Sequence, residues 1–402
     1  MLPFGKPSKT QFATRLIRAI AEQTGIEFGY DSDENELRRL DGDGVINIAN
    51  LYLEHCKLKK RERAEHLQVI AGVFGQRPEA LPSEFSEAKR NLRPKIWTRG
   101  MFEFQNLKSQ LTDGKSFDMP NVPLGSHLAV TLVYDTDHAM RSVSEEELAN
   151  WDVSFDAGMQ QAIANLDQDT TTFAKLGDAL ASSMTGDAYD SSRILLNDRL
   201  RKLGLEGDLI ALVPTRDSFL VATANDRQAV EMLYKVANLT DEDEPVERPL
   251  SPLPLVFRDG QRHDWQPPQN HAIRPLFEQV ERDFLGSLYN EQKELLEALW
   301  ENDPEAPFLP TYTGAQRASD NEVFTYSVWS RGAKSLLPNT DVVMLFDSDQ
   351  GVTIPTSWQQ MLTVLGDAVV LDDSIYPSRY LVDQFPSEPQ LIELADIDLD
   401  LD

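Results

Sequence analysis

The sequence predicts an α+β fold, with mixed or antiparallel sheets and packed helices followed by a smaller β-β-α-β-β module. Three observations lead there. Apolar residues recur at helical spacing in separate windows, as Phe12, Leu16, Ala19 and Ile20 do near the amino terminus. Short apolar runs of strand length, such as 209–213 and 219–222, are joined by turn residues. Beyond Pro267-Pro268 the pattern reads as two strands, a helix and two more strands.

In chain order, a helix is expected over 11–23, closed by Gly25, where only a residue free of a Cβ turns left-handed without strain. Alternating runs at 26–30, 37–40 and 45–48 form a small antiparallel meander, and helices follow over 49–56 and 61–74. Pro78, Pro82 and Pro94 then break the chain, and a loop rich in Gly, Pro and Asp leads to a strand over 128–134. Ser144-Glu-Glu-Glu147 opens a helix as a capping box, and a second helical stretch covers 155–166.

The stretch 189–222 organises the middle of the chain. Asp190 or Ser191 caps a helix whose Leu196, Leu200 and Leu203 share one face, and Gly204 ends it. A strand over 209–213 stops at Pro214, and Pro214-Thr215-Arg216-Asp217 turns the chain into a second strand over 219–222. A helix over 226–238, a solvated acidic loop from Thr240 to Pro245 and a hairpin turning at Asp259-Gly260 complete this part. Helical spacing then runs over 273–300, interrupted by Gly286, as one helix or a pair. Strands at 323–330, 342–346, 369–371 and 379–385, with a helix over 356–365, make the final module.

Double proline and a shift in composition at 267–268 set the clearest boundary. The expected organisation is a helix-meander-helix subdomain (1–100), a central α+β domain (101–268), a connecting helix or helix pair (269–302), a carboxyl-terminal α+β module (303–390) and a disordered acidic tail (391–402). A chain of 402 residues suits two or three such domains.

Charge narrows the partners. The net charge is −28, but residues 1–100 carry 17 basic against 14 acidic side chains, and residues 270–402 carry 7 against 24. An anionic surface repels phosphate backbones and anionic lipid, so no nucleic acid and no membrane is expected as partner, and a protein with a basic surface is. The run Lys57-Leu-Lys-Lys-Arg-Glu-Arg63 lacks an aromatic for base stacking and reads as a solvated helix start. A single cysteine, Cys56, allows no internal disulfide and no cysteine zinc site. No apolar stretch has the length of a signal peptide core or a membrane span, so the expected location is the cytoplasm.

Recognisable site motifs fail on their own chemistry, and neither a cofactor nor a metal is expected. In Leu40-Asp-Gly-Asp-Gly-Val-Ile46, a calcium-loop register would put Arg39 and Asn50 at essential oxygen-ligand positions, so it reads as a turn. Gly114-Lys115-Ser116 resembles the end of a phosphate loop, but Pro120 and Pro123 deny the helix that would follow. His127 stands a full strand away from Asp135, Asp137 and His138, which remain a weak metal or acid/base set with a polar turn as the plain reading.

Arg193 is the unusual residue, a cation on the apolar stripe of Leu196 and Leu200. It needs an anion, and Asp190 or Asp217 supplies one internally, or a ligand supplies one to Arg193 and Arg216 together. The polar residues make pairs and turns more readily than a nucleophile, base and orienter. The leading expectation is therefore a non-catalytic binding or interaction protein, and the alternative is an enzyme acting on a small anionic substrate.

Several segments also carry a family resemblance. Leu92-Arg-Pro-Lys-Ile96, Trp151 with Ala164-Asn-Leu166, Asp190-Ser-Ser-Arg-Ile-Leu195 and Gly207-Asp-Leu through Val213-Pro-Thr-Arg-Asp217 together resemble the YtpQ-like family of uncharacterised bacterial proteins, over about residues 10–267. The resemblance implies a cytoplasmic α+β protein and supplies no activity. Residues beyond Pro268 lie outside it.

Overall fold

The computed structural model describes residues 6–32, 35–41, 45–75, 81–117, 119–136, 140–183, 185–237, 248–317, 321–395 and 397. The fold is α+β, with antiparallel strand pairs, the parallel pair Val323–Ser330 and Val342–Asp347, and packed helices among the described residues. It divides into two compact units that interleave along the sequence. The first comprises Met1–Pro94, Leu132–Thr170 and Thr240–Pro249; the second comprises Lys95–Thr131, Thr171–Leu239 and Leu250–Asp402.

In the first unit, helix Lys9–Thr24 starts on a reciprocal cap between Ser8 and Gln11 and stops at Gly25, whose φ is 72°. Its stripe of Phe12, Leu16, Ala19 and Ile20 packs on Phe28, Leu37 and Ile46 of the antiparallel meander Phe28–Asp31, Glu36–Arg39 and Val45–Asn47, and on Ile70 and Ala71 of helix Arg63–Gly75. Burying each large apolar side chain contributes about 1.5–3 kcal/mol, so this shared stripe is what fixes the helix on the sheet. Helix Phe155–Asp169 is tied down by a polar residue. The Asn165 side-chain amide donates to the carbonyls of Lys89 at 2.7 Å and Leu92 at 2.9 Å, and Arg93 reaches Asp169 at 2.8 Å.

The second unit contains a six-stranded antiparallel sheet in the order Gln261–Asp264, Leu255–Arg258, Leu209–Leu212, Phe219–Thr223, Leu180–Ser183, Ala174–Lys175. Ile210, Leu212, Leu220 and Val256 pack on Val230 and Leu233 of helix Arg227–Ala237. Ile273 and Phe277 belong to the same cluster, so the long helix Arg274–Leu299 begins inside the core of this sheet. Pro267-Pro268, the boundary expected from the sequence, lies within the second unit.

The long helix is also continuous through Gly286. A Cβ there would sit 3.3 Å from the Tyr312 ring, so glycine serves the close approach of that ring and does not break the helix. Beyond it, strands Thr313–Gln316, Val323–Ser330, Val342–Asp347 and Val352–Ser357 make one sheet, with the middle two parallel. Strands Ser335–Pro338, Arg379–Val382 and Val370–Asp372 make another. The strands Thr313–Gln316, Ser335–Pro338 and Val352–Ser357 extend the expected β-β-α-β-β module, and its helix is the shorter Trp358–Leu365.

Arg379 holds this region together from within. It is fully buried and donates to the Gln292 side chain at 2.6 Å and to the carbonyls of Tyr289, Leu336 and Pro310 at 3.0, 3.1 and 3.3 Å. Burial lowers its pKa to about 10.

Two further expectations are corrected. Residues 99–113, taken as loop, form helix Arg99–Asp113, capped by Thr98 and closed by Gly114 at φ 64°. Its Phe102, Phe104 and Leu107 are buried, and Leu107 packs with Leu296 of the long helix. The tail expected from residue 391 begins inside helix Glu388–Leu394, whose Leu391 and Leu394 are buried, and Ile397 packs on the Phe324, Val342 and Met344 cluster. The acidic loop 240–245 and Pro78 lie outside the described residues.

Candidate functional site

Asp190, Arg193, Arg216 and Asp217 are brought to one place in the second unit, in an arrangement that differs from the expected cap. Ser191–Leu195 is a 3-10 turn, and only Asn197–Arg201 is α-helical. Asp190 caps neither. Its carboxylate accepts from the Ser183 hydroxyl at 2.6 Å, the Thr185 amide at 2.9 Å and the Gly186 amide at 3.0 Å, a richer donor set than a helix start offers.

Arg193 has no solvent exposure, and its guanidinium forms a two-pronged pair with Asp187, at 2.9 Å through Nη1 and 2.6 Å through Nη2. Asp190 adds a third contact at 3.4 Å. Burial works against the Asp187 charge, but hydrogen bonds from Arg193, the Tyr189 amide and Thr185 outweigh it and hold the carboxyl at about 2. Asp187 escaped the sequence reading because a separation of six residues is no helical neighbour spacing. The available signal was the Thr185-Gly186-Asp187 turn immediately before the Arg-bearing segment.

Arg216 is half-buried and lies over the Trp97 ring, 3.6 Å from its centroid, and its carbonyl accepts the Ser191 amide at 3.4 Å. Asp217 is exposed in the turn that Thr215 and Ser218 close through a 2.7 Å hydroxyl pair. Lys95, buried on the neighbouring strand Leu92–Thr98, donates to the Ala188 carbonyl. This cluster pins the loop before the 3-10 turn, and Arg193 presents nothing to an incoming anion.

The other sequence candidates disperse. Asp135 ends strand Leu128–Asp135, whereas Asp137 and His138 lie outside the described residues. The His127 ring meets the Tyr376 hydroxyl at 2.8 Å and stands edge-on to Phe284, and burial lowers its pKa. Gly114 of Gly114-Lys115-Ser116 is a helix carboxyl cap, the end of opposite polarity to a phosphate cradle. Strands Glu36–Arg39 and Val45–Asn47 pair on either side of the Asp-Gly-Asp-Gly run, whose residues 42–44 are outside the described ones. Among the described residues no group of three His, Cys, Asp or Glu side chains is placed to hold a metal ion.

What the sequence reading missed is an open pocket of about 480 Å³ against the long helix. Helical spacing aligns Arg274, Glu278, Glu281 and Arg282 along one wall, and Tyr312, Asp341 and Trp358 belong to the other elements that line it. Most of its charges are already matched. Arg274 pairs with Glu278 at 2.6 Å and donates to the Pro267 carbonyl at 2.7 Å. Arg282 pairs with Asp341 at 3.1 Å, and the Asp341 carboxylate also takes the Thr325 amide at 2.8 Å and hydroxyl at 2.9 Å.

Glu281 is different. It forms no ion pair among the described residues, the Gln266 side-chain amide donates to it, and burial raises its pKa above the usual carboxylate range. Because the Gln266 NH₂ end faces a carboxylate, its carbonyl oxygen is directed elsewhere, and that buried oxygen has no hydrogen-bond partner among the described residues. Burial also pushes the Tyr312 hydroxyl up to about 12.

The chain matches no family model, no curated protein and no solved structure.

Proposed function

We propose that the protein is a non-catalytic binding protein of the cytoplasm, with its ligand seat in the pocket on the long helix. One observation carries the reading: Glu281, half-buried and without an ion pair among the described residues, lines a cavity of about 480 Å³ whose neighbouring charges Arg274, Glu278, Arg282 and Asp341 are paired. The Thr325 hydroxyl in the wall is buried and donates to Asp341 at 2.9 Å, which favours a structural over a nucleophilic role for it. The acidity of residues 270–402 favours a basic partner. No helix among the described residues is long and apolar enough to cross a membrane.

The enzymatic alternative required Arg193 and Arg216 to hold a substrate anion. With Arg193 enclosed against Asp187, it rests on Arg216 alone and is the weaker reading. A thermal-shift screen of amines, zwitterions and anions against the intact chain tests the proposal. A ligand at a hundred times its dissociation constant adds about 2.7 kcal/mol of stability, and that gain is expected to vanish in Glu281→Gln. Turnover of a stabilising compound, or stabilisation indifferent to Glu281, would refute it.

A further inference from the structure

We propose that one face of the sheet Thr313–Gln316, Val323–Ser330, Val342–Asp347 and Val352–Ser357 is a docking surface, and that its occupant is the chain's own acidic run, residues 397–401, laid across it with Ile397, Leu399 and Leu401 toward the sheet. The proposal does not draw on the pocket of the long helix.

Side chains alternate between the two faces of a strand, so Val342, Met344 and Phe346 share one face, and Val343 and Leu345 share the other. The Val343 face is core, packed with Trp329, Met361 and Leu394. The Val342 face is apolar as well, because the parallel register sets Tyr326 beside Val342 and Val328 beside Met344. It is unevenly covered. Phe324, Val342 and Met344 are 4%, 4% and 5% exposed, whereas Val328 and Phe346, further along the same two strands, are 39% and 36% exposed. Ile397 packs on the covered end. Both of those strands are interior to the sheet, so Ile397 meets the cluster over the face and not by adding to an edge. Fully buried Leu394 belongs to the core on the opposite face, so the chain passes from one face to the other within three residues and is anchored on both.

Residues 398–402 lie outside the described ones, and their sequence supplies what the open end lacks. In Ile397-Asp-Leu-Asp-Leu401 apolar and acidic residues alternate with the period of an extended chain, which directs three apolar side chains to one side and the aspartates to water. In that conformation Leu399 and Leu401 fall about 7 and 13 Å beyond Ile397, the same spacing that separates Met344 and Phe346 from Val342. A run so rich in aspartate cannot enter a core, but a face asks only for every second residue. With the tail down the surface is closed to any other chain, and a partner that docks there has to lift it.

Fluorescence of Nile red, an uncharged dye of apolar surfaces, together with sedimentation of the full chain, provides the test. Leu399→Asp with Leu401→Asp leaves helix Glu388–Leu394 and Ile397 in place, and by baring Val328 and Phe346 it should raise the dye signal about threefold. Adding Val328→Ser and Phe346→Ser to that variant should return the signal to the wild-type level, which separates a bared face from partial unfolding. If the bared faces pair with each other instead, the tail variant sediments as a dimer and the Val328 and Phe346 substitutions restore the monomer, which supports the proposal equally. A monomeric tail variant with the wild-type dye signal overturns it, and so does a rise that the Val328 and Phe346 substitutions leave in place. A wild type that is already a dimer, dissociated by Val328→Ser with Phe346→Ser but indifferent to the changes at 399 and 401, gives the face to a second copy and overturns the proposal as well.

Discussion

Arg193 and Asp187 meet through two parallel hydrogen bonds of 2.9 and 2.6 Å, with the guanidinium wholly enclosed and the carboxylate partly open to water. The pair closes the loop that leads into the 3-10 turn, and Asp190 backs it from the buried side.

Replacing Arg193 by Met keeps the apolar stem and strands two carboxylates, one of them almost fully buried. The expected cost is on the order of 3–5 kcal/mol in the denaturant midpoint. Adding Asp187→Asn should recover part of it, and the coupling energy of that double-mutant cycle should exceed the one measured with Asp217→Asn. A neutral or stabilising Arg193→Met would remove the structural role of the pair.

The same pair shapes stability in acid. The Asp187 pKa falls from an ordinary 3.8 to about 2 in the folded chain, so its contribution is complete above 3.8 and disappears as pH drops through about 2. Unfolding midpoints followed over that window should slope downward in the wild type and lose part of the slope in Asp187→Asn.

His55 acts at a milder pH. It is fully buried beside the Phe12 ring, with Nδ1 3.2 Å from Nδ1 of His66. Burial, then the charges of His66, Arg63 and Arg15, lower its pKa from 6.5 to about 4. The unfolded chain therefore binds the proton first, and the first unit keeps its full stability above 6.5 and loses it as pH falls toward about 4. Leucine at position 55 should flatten that part of the profile, measured by chemical unfolding at a series of pH values. An unchanged slope would show that His55 does not set it.

Arg379 should tolerate no substitution. Methionine leaves three backbone carbonyls and the Gln292 oxygen without their shared donor, at an expected cost on the order of 3 kcal/mol or more. Lysine should rescue little, because one ammonium does not span four acceptors arranged for a planar fork. Recovery to the wild-type midpoint in Arg379→Lys would show that charge alone suffices there.

Local physics made much of the fold legible. The stripe Phe12, Leu16, Ala19, Ile20, the cap at Ser144 and the turn at Asp259-Gly260 each declare themselves within a few residues, and each holds. Helix Arg99–Asp113 was hidden by Pro94, which stands in the edge strand Leu92–Thr98, a position in a sheet where proline is tolerated. Gly286 misled for a different reason, since its role is set by Tyr312, twenty-six positions away and invisible to periodicity. At the sites the limit was the same. Arg193 stood out as a cation on an apolar stripe, but its partner lay off any regular spacing. The pocket needed Gln266, Glu281 and Asp341 from three distant segments, and no single window contains them.

The interleaving of the two units sets an order on synthesis at the ribosome. The segment Met1–Pro94 is made first, yet Arg248, which grips Glu54 at 2.5 Å and meets Asn50 through its amide, is added 194 positions after Glu54. At about 5–20 residues per second that gap is roughly 10–40 seconds of elongation, during which helix Ala49–Lys57 waits without the arginine that ties it. A nascent chain halted before that codon lacks the Arg248 contacts with Glu54 and Asn50 that tie the helix.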